Sequence, residues 1–184
     1  MLAERSTRRS FLGKAAGLAA GLAVPYVVSP AALGLAGTVA PSNRITLGCI
    51  GTGNMGTGDM AMFLQLPDVE LVALCDPKQA ARERALQVAT AAGAGQGVML
   101  CGDFRELVAR EDIDVVSVAS TDHWHVVHAL AAVRAGKDIY VEKPLGISIQ
   151  QIKTLRDAVH GYGRRFQFGT QQRSMPQFHQ ACEL

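Results

Sequence analysis

One stretch constrains the fold more than any other: Gly51-Thr52-Gly53-Asn54-Met55-Gly56 follows the apolar run Ile45–Ile50 with no spacer. Glycine supplies 19 of the 184 residues, so three glycines at this spacing carry little weight alone. Their setting gives them weight. They separate a run of strand character from Thr57–Leu66, where Met60, Phe63 and Leu64 recur at helical spacing until Pro67 and Asp68 stop the pattern. A strand that turns straight into a helix needs Gly51 for the tight turn, Gly53 where the backbone must stay bare, and Gly56 where helix meets strand.

The remainder repeats this alternation. Glu70–Cys75, Val98–Cys101, Asp114–Ala119, Asp138–Val141 and Arg165–Gly169 read as strands. Helices are expected over Lys78–Ala92 with Pro77 in its first turn, from Asp103 through Ala109 with Glu106 completing a capping box, over Trp124–Ala135, and from Ser148 to His160. Six strands with crossover helices predict an α/β fold, a doubly wound parallel sheet of the Rossmann type. A flavodoxin-like sheet with an incidental glycine loop is the bland alternative.

In the Rossmann reading, the helix after the turn offers unpaired N–H groups and a partial positive charge to a pyrophosphate. Gly51, Thr52, Gly53, Asn54, Met55 and Gly56 are therefore the candidate phosphate cradle. Asp76 follows Gly56 by twenty residues, where a carboxylate accepts from ribose hydroxyls and disfavours a 2′-phosphate. That points to NAD, with Lys78 and Arg82 nearby leaving NADP open.

At the end of the fifth strand stands Tyr140-Val141-Glu142-Lys143-Pro144. Ligands of open α/β sheets lie beyond the carboxyl ends of the strands, so Lys143 is the candidate catalytic residue, able to stabilise an alkoxide as hydride departs. Taken alone, the same residue reads equally as a surface lysine at a strand end.

The glycine turn, Cys75-Asp76-Pro77, Asp122-His123-Trp124-His125 and Glu142-Lys143-Pro144 together resemble, in order and spacing, the Gfo/Idh/MocA oxidoreductases, over residues 43–184. Gly169-Thr170-Gln171-Gln172-Arg173-Ser174 further resembles an exported, sugar-oxidoreductase-like branch. The resemblance implies Lys143 as the catalytic lysine, Glu142 as its cofactor-side neighbour and a cis Lys143–Pro144 bond. It implies that Ser120, Asp122 and His125 belong to the loop lining the nicotinamide half, and that Arg173 reaches cofactor or substrate. Where the family often has Thr-Pro, this chain has Ser120-Thr121, which keeps a hydroxyl but gives up a rigid proline. The family's proton-transferring Asp-x-x-x-His pair has no counterpart here. An α/β substrate domain, which often mediates homo-oligomers, is expected to be essentially missing, with 170–184 as its opening and 45–169 as the dinucleotide domain.

Residues 1–36 read as an address, followed by a linker over 37–44. Ser6-Thr7-Arg8-Arg9-Ser10-Phe11-Leu12-Gly13-Lys14 resembles a twin-arginine signal, Ala15–Val28 is apolar and uncharged, and Gly34-Leu35-Ala36 suits cleavage after Ala36. An uncleaved N-terminal anchor is the alternative. The expected destination is the periplasm or beyond, reached folded through the twin-arginine machinery with the cofactor held inside. Once this segment is set aside, acids outnumber bases by one, which argues against nucleic acid as a partner. Cys49 and Cys75 fall in apolar strands and read as buried thiols. His123, His125 and His128 beside Asp122 lack a completing ligand, so no metal is expected, and Trp124, Val126, Val127 and Leu130 read as core.

These readings predict an exported NAD(P)-dependent oxidoreductase acting on a sugar, cyclitol or related polyol. An NAD-dependent glycosidase of similar fold, working through transient sugar oxidation, and a non-catalytic dinucleotide-binding protein are the competing readings.

Overall fold

The first strand, β1 (Ile45–Ile50), grows progressively more buried along its length, ending in four consecutive enclosed residues. Such a run, without polar alternation, marks a strand covered on both faces. It lies in the interior of the sheet in a computed structural model that describes residues 30–35 and 39–184. The paired arginines, the apolar stretch behind them and the expected cleavage point at Ala36 lie outside the described residues. Near the start, Pro30–Leu33 forms a short 3₁₀ turn, and the Leu35 amide donates to the Pro30 carbonyl at 2.9 Å.

Pro41–Leu184 forms one compact unit. After β1 come α1 (Asn54–Phe63), β2 (Val69–Cys75), α2 (Gln79–Ala91), β3 (Met99–Cys101), α3 (Phe104–Val108) and β4 (Val115–Val118). A 3₁₀ turn at Asp122–Trp124 leads into α4 (His125–Arg134), then β5 (Asp138–Glu142), α5 (Ile149–Gly161), β6 (Phe166–Gly169) and α6 (Pro176–Glu183). Every strand pairs in parallel, in the order β3-β2-β1-β4-β5-β6. This is the doubly wound order, with its switch point between β1 and β4. No helix among the described residues is long and apolar enough to cross a membrane.

Alternating strand residues feed two cores. Ile50, Val116, Val118, Ile139 and Val141 meet Leu107, Leu155 and α4 on one face. Leu47, Cys49, Leu71 and Leu74 meet Met60 of α1 and Ala85 and Ala89 of α2 on the other. Ala81, Ala85 and Ala89 recur every fourth residue, so α2 lies close to the sheet on a stripe of methyl groups. Each fully buried leucine contributes about 1.5–3 kcal/mol of apolar transfer free energy.

Several local expectations are corrected. Helix α1 begins at Asn54, immediately after the turn, because Gly53 in extended conformation serves as its cap. At α3, Asp103 caps by accepting from the Arg105 amide at 2.9 Å, with Arg105 Nη1 drawn onto the same carboxylate, so no Glu106 box is needed. At α5 the Ser148 hydroxyl accepts from the Gln151 amide at 3.3 Å, and the Gln151 side chain reaches back to the Ile147 amide. Val127 and Trp124 are each 41% exposed rather than core. Helix α4 buries the stripe His125, Val126, His128, Ala129, Ala132 and Val133, which turns Val127 outward.

Candidate functional site

Strand register brings the site together. Ile50 pairs with Val118, Val118 with Val141, and Glu142 with Gly169, so the chain leaves β1, β4, β5 and β6 along one carboxyl edge. Lys143 thus stands two strand spacings, about 10 Å, across the edge from the glycine turn.

At the turn, each glycine is required for a different reason. Gly51 has φ +88°, and a Cβ there would lie 2.5 Å from the Ser120 amide nitrogen. A Cβ on Gly56 would collide with the Gly51 carbonyl oxygen. A Cβ on Gly53 would meet nothing within 4 Å. The bare backbone of Gly53 thus faces open space at the start of α1, where Asn54 and Met55 are exposed. A helix N-terminus with no side-chain cap and an open approach fits a dinucleotide pyrophosphate. The buried Thr52 Oγ1 has no protein partner, while the Thr52 carbonyl accepts from the Thr57 hydroxyl at 3.1 Å.

Asp76, at the end of β2, does more than face a ribose. Its Oδ2 accepts from the Thr52 amide at 2.9 Å and its Oδ1 from the Lys78 amide at 2.9 Å. The carboxylate therefore ties the glycine turn to the next strand, and each oxygen keeps a lone pair for ribose hydroxyls. Arg82 folds back onto the Asp76 carbonyl through Nη1, leaving its buried Nε without a partner.

The β5 end is built from side chains. Lys143 is exposed and its bond to Pro144 is cis. Glu142 is 2% exposed. Its Oε1 accepts from the Tyr140 hydroxyl at 3.1 Å and its Oε2 from the Lys143 amide at 3.2 Å. Gln171, with its amide turned to satisfy its surroundings, donates to the Gly169 carbonyl at 3.2 Å and to Glu142 Oε1 at 3.3 Å. A Cβ on Gly169 would lie 2.5 Å from Glu142 Oε1, so this carboxylate fits only because that residue is glycine. Burial first, then the charges of Asp59 and Glu142, hold the Tyr140 hydroxyl well above its ordinary range.

Asp59 was not foreseen. It is 6% exposed, and its Oδ2 has no partner. Burial, reinforced by Glu142 and opposed by Lys143, pushes its carboxyl up to about 6. The signal lay on the helical wheel: Gly56, Asp59, Met60 and Phe63 share one face of α1, so an acid there must be buried. Asp59, Phe63, Tyr140, Thr170, Gln171 and Arg173 line a cavity of about 400 Å³. Arg173, exposed on the 3₁₀ turn Gln171–Ser174, reaches the site from that side.

Beyond β4, Asp122 is exposed and Ser120 half-buried, whereas His125 is 1% exposed. His125 Nε2 faces the Ser120 carbonyl at 2.9 Å and His128 Nδ1 faces the Ser120 hydroxyl at 3.0 Å. His128 stacks on Trp124 and is lowered to about 4, first by burial and then by His125 and Arg105. Among the described residues, no three histidine, cysteine or acidic side chains are grouped to hold a metal ion. Cys49, Cys75 and Cys101 are buried free thiols, and Cys182 is an exposed one.

A family model described as an oxidoreductase family with an NAD-binding Rossmann fold, GFO_IDH_MocA, matches residues 45–170. Among curated relatives, a glycosyl hydrolase family 109 protein of Saccharopolyspora erythraea is 34% identical over 149 residues, covering 77% of this chain and 32% of the relative. One from Shewanella sp. (strain ANA-3) is 30% identical, covering 82% and 36%. The chain thus spans about a third of the length of these relatives. Among solved structures, an NAD binding oxidoreductase from Klebsiella pneumoniae superposes with a TM-score of 0.60 at 36% identity, covering 73% of this chain and 36% of that one. A scyllo-inositol dehydrogenase from Lactobacillus casei, with bound NAD(H) and scyllo-inositol, gives 0.64 at 25% identity, covering 77% and 40%.

Proposed function

The chain belongs to the Gfo/Idh/MocA oxidoreductase family, with its NAD-binding Rossmann fold, and on that premise we propose that it is the cofactor-binding part of an enzyme that oxidises or reduces a CH–OH group of a sugar, cyclitol or related polyol. The observation that carries the reading is the single carboxyl edge shared by the glycine turn and Lys143. Gly51–Gly56 with the first turn of α1 would hold the pyrophosphate, and Asp76 the adenosine ribose. Ser120, Asp122 and Arg173 flank the edge on which the nicotinamide half would lie. Bound NAD supplies the hydride acceptor. Lys143 would donate a hydrogen bond to the substrate oxygen and stabilise the negative charge left there when a base takes the hydroxyl proton, ahead of hydride transfer, a contribution of about 10²–10⁴-fold for a positioned proton donor. Glu142 binds the Lys143 amide from below and keeps the lysine's backbone in place.

A second reading, transient oxidation in the service of glycoside cleavage, is favoured by the relatives named glycosyl hydrolase family 109. Both readings share this half-site. The deciding experiment uses the gene product with any residues that follow Leu184, assayed for NADH formation on a polyol panel and for release of p-nitrophenol from aryl glycosides. NADH formation supports the dehydrogenase, and aryl release without net NADH supports the glycosidase. A product that binds NAD and does neither is a non-catalytic binder.

We further propose that residues 1–36 direct twin-arginine export. Replacing Arg8 and Arg9 by lysine is expected to stop delivery of the protein to the periplasm, and undiminished delivery would remove that reading.

A further inference from the structure

The imidazole of His125 lies between two acceptors. Nδ1 is 2.6 Å from the carbonyl oxygen of Pro144, and Nε2 is 2.9 Å from the carbonyl oxygen of Ser120. A carbonyl oxygen only accepts, so each contact is a hydrogen bond only when the ring nitrogen facing it carries a proton. At 1% exposure, water cannot replace either bond. Both nitrogens face carbonyls of the protein, and neither is left to touch a cofactor or a substrate.

What the ring joins is more telling than what surrounds it. The β4–β5 ladder closes with Val118 opposite Val141, after which the two chains separate into loops. Ser120 lies two residues past β4 and Pro144 two residues past β5, directly after Lys143. Ser120 is itself a fixed post, because His128 holds its hydroxyl at 3.0 Å while His125 holds its carbonyl. His128 in turn packs between Trp124 and Phe104, with ring centroids 5.1 and 4.5 Å away. From the rigid start of α4, His125 therefore reaches across the sheet edge to the loop that carries Lys143.

We propose that His125 is a positioning residue whose Nδ1–H, donated to the Pro144 carbonyl, fastens the Lys143–Pro144 loop to the start of α4 and so sets where the lysine stands relative to the dinucleotide. The mechanical link stands on the hydrogen bonds alone; its importance for turnover rests on Lys143 being the catalytic lysine.

The link is tested on the unaltered chain by ¹⁵N NMR with labelled histidine. A protonated Nδ1 with a slowly exchanging hydrogen is expected at His125, and a bare Nδ1 would overturn the proposal. Hydrogen exchange supplies the second readout. In His125→Gln, the Lys143, Leu145 and Gly146 amides are expected to exchange at least tenfold faster, with β4 and α5 unchanged. In His125→Gly, 4-methylimidazole is expected to restore protection, while thiazole, which matches the ring's shape but has no N–H, does not. Rescue by both, or unchanged exchange in His125→Gln, would reduce His125 to a packing residue. If Lys143→Ala leaves turnover intact while exchange behaves as expected, the lysine's role fails and the fastening stands.

Discussion

At Gly51–Gly56 the chain builds a cradle almost without side chains, whereas at Glu142–Pro144 it depends on them. The first region works by leaving volume empty. Gly51 lets the turn pass so close to Ser120 that a Cβ would lie 2.5 Å from its amide nitrogen, and Gly53 leaves its surroundings open. The second works by filling volume with polar groups that satisfy one another: Tyr140 and Gln171 on Glu142, Glu142 on the Lys143 amide, and His125 on Pro144. An empty cradle tolerates almost no added atom at its packed glycines, and a polar network tolerates almost no lost partner.

The sharpest way to break the comparison is within the cradle. Gly56→Ala drives a methyl into the Gly51 carbonyl, so it is expected to cost more than about 3 kcal/mol and to abolish NAD binding, read by urea midpoint and cofactor titration. Gly53→Ala, with nothing within 4 Å, should keep the wild-type midpoint and weaken NAD by about tenfold, roughly 1.4 kcal/mol. Equal effects from the two would mean that the empty volume is not selective.

In the second region, Lys143→Ala in the gene product carrying any residues after Leu184 should lower turnover by about 10²–10⁴-fold while NAD affinity stays within about twofold. A matched loss of affinity would make Lys143 part of the cradle rather than its counterpart.

Asp59 adds a smaller, pH-dependent difference. Its carboxyl rises from 3.8 to about 6 in the folded protein, so its stabilising contribution is complete below about pH 3.8 and is lost as pH rises through about 6. Asp59→Asn is therefore expected to stabilise the protein by about 1–2 kcal/mol at pH 8 and by nothing at pH 3.5. A destabilisation at pH 8 would show that the charged form is held by a partner.

The smallest effect is spectroscopic. Trp124, the sole tryptophan, stacks on His128 with ring centroids 5.1 Å apart. His128 is lowered from 6.5 to about 4, so its stabilising contribution is present above pH 6.5 and lost as pH falls through about 4. Trp124 fluorescence should change near pH 4, and His128→Phe should remove that step. A midpoint near 6.5 would mean that the ring is not enclosed by the aromatic pair.

The amino-acid sequence by itself determined the order of elements, the parallel sheet and the cradle. Strand runs, helical spacing, the Asp103 and Ser148 caps and the three glycines all act within a few residues of themselves, and local rules suffice to read them. Asp76 was legible for the same reason, as the acid closing the second strand, though its grip on the Thr52 amide was not. Only the tertiary structure decided how the reactive end is held. His125 and Pro144 are 19 residues apart, and Asp59 comes under Glu142 and Lys143 only because α1 packs over β5. Whether a histidine faces a cofactor or two carbonyls depends on what the folded chain brings within 3 Å of its ring, and no pattern along the sequence records that distance.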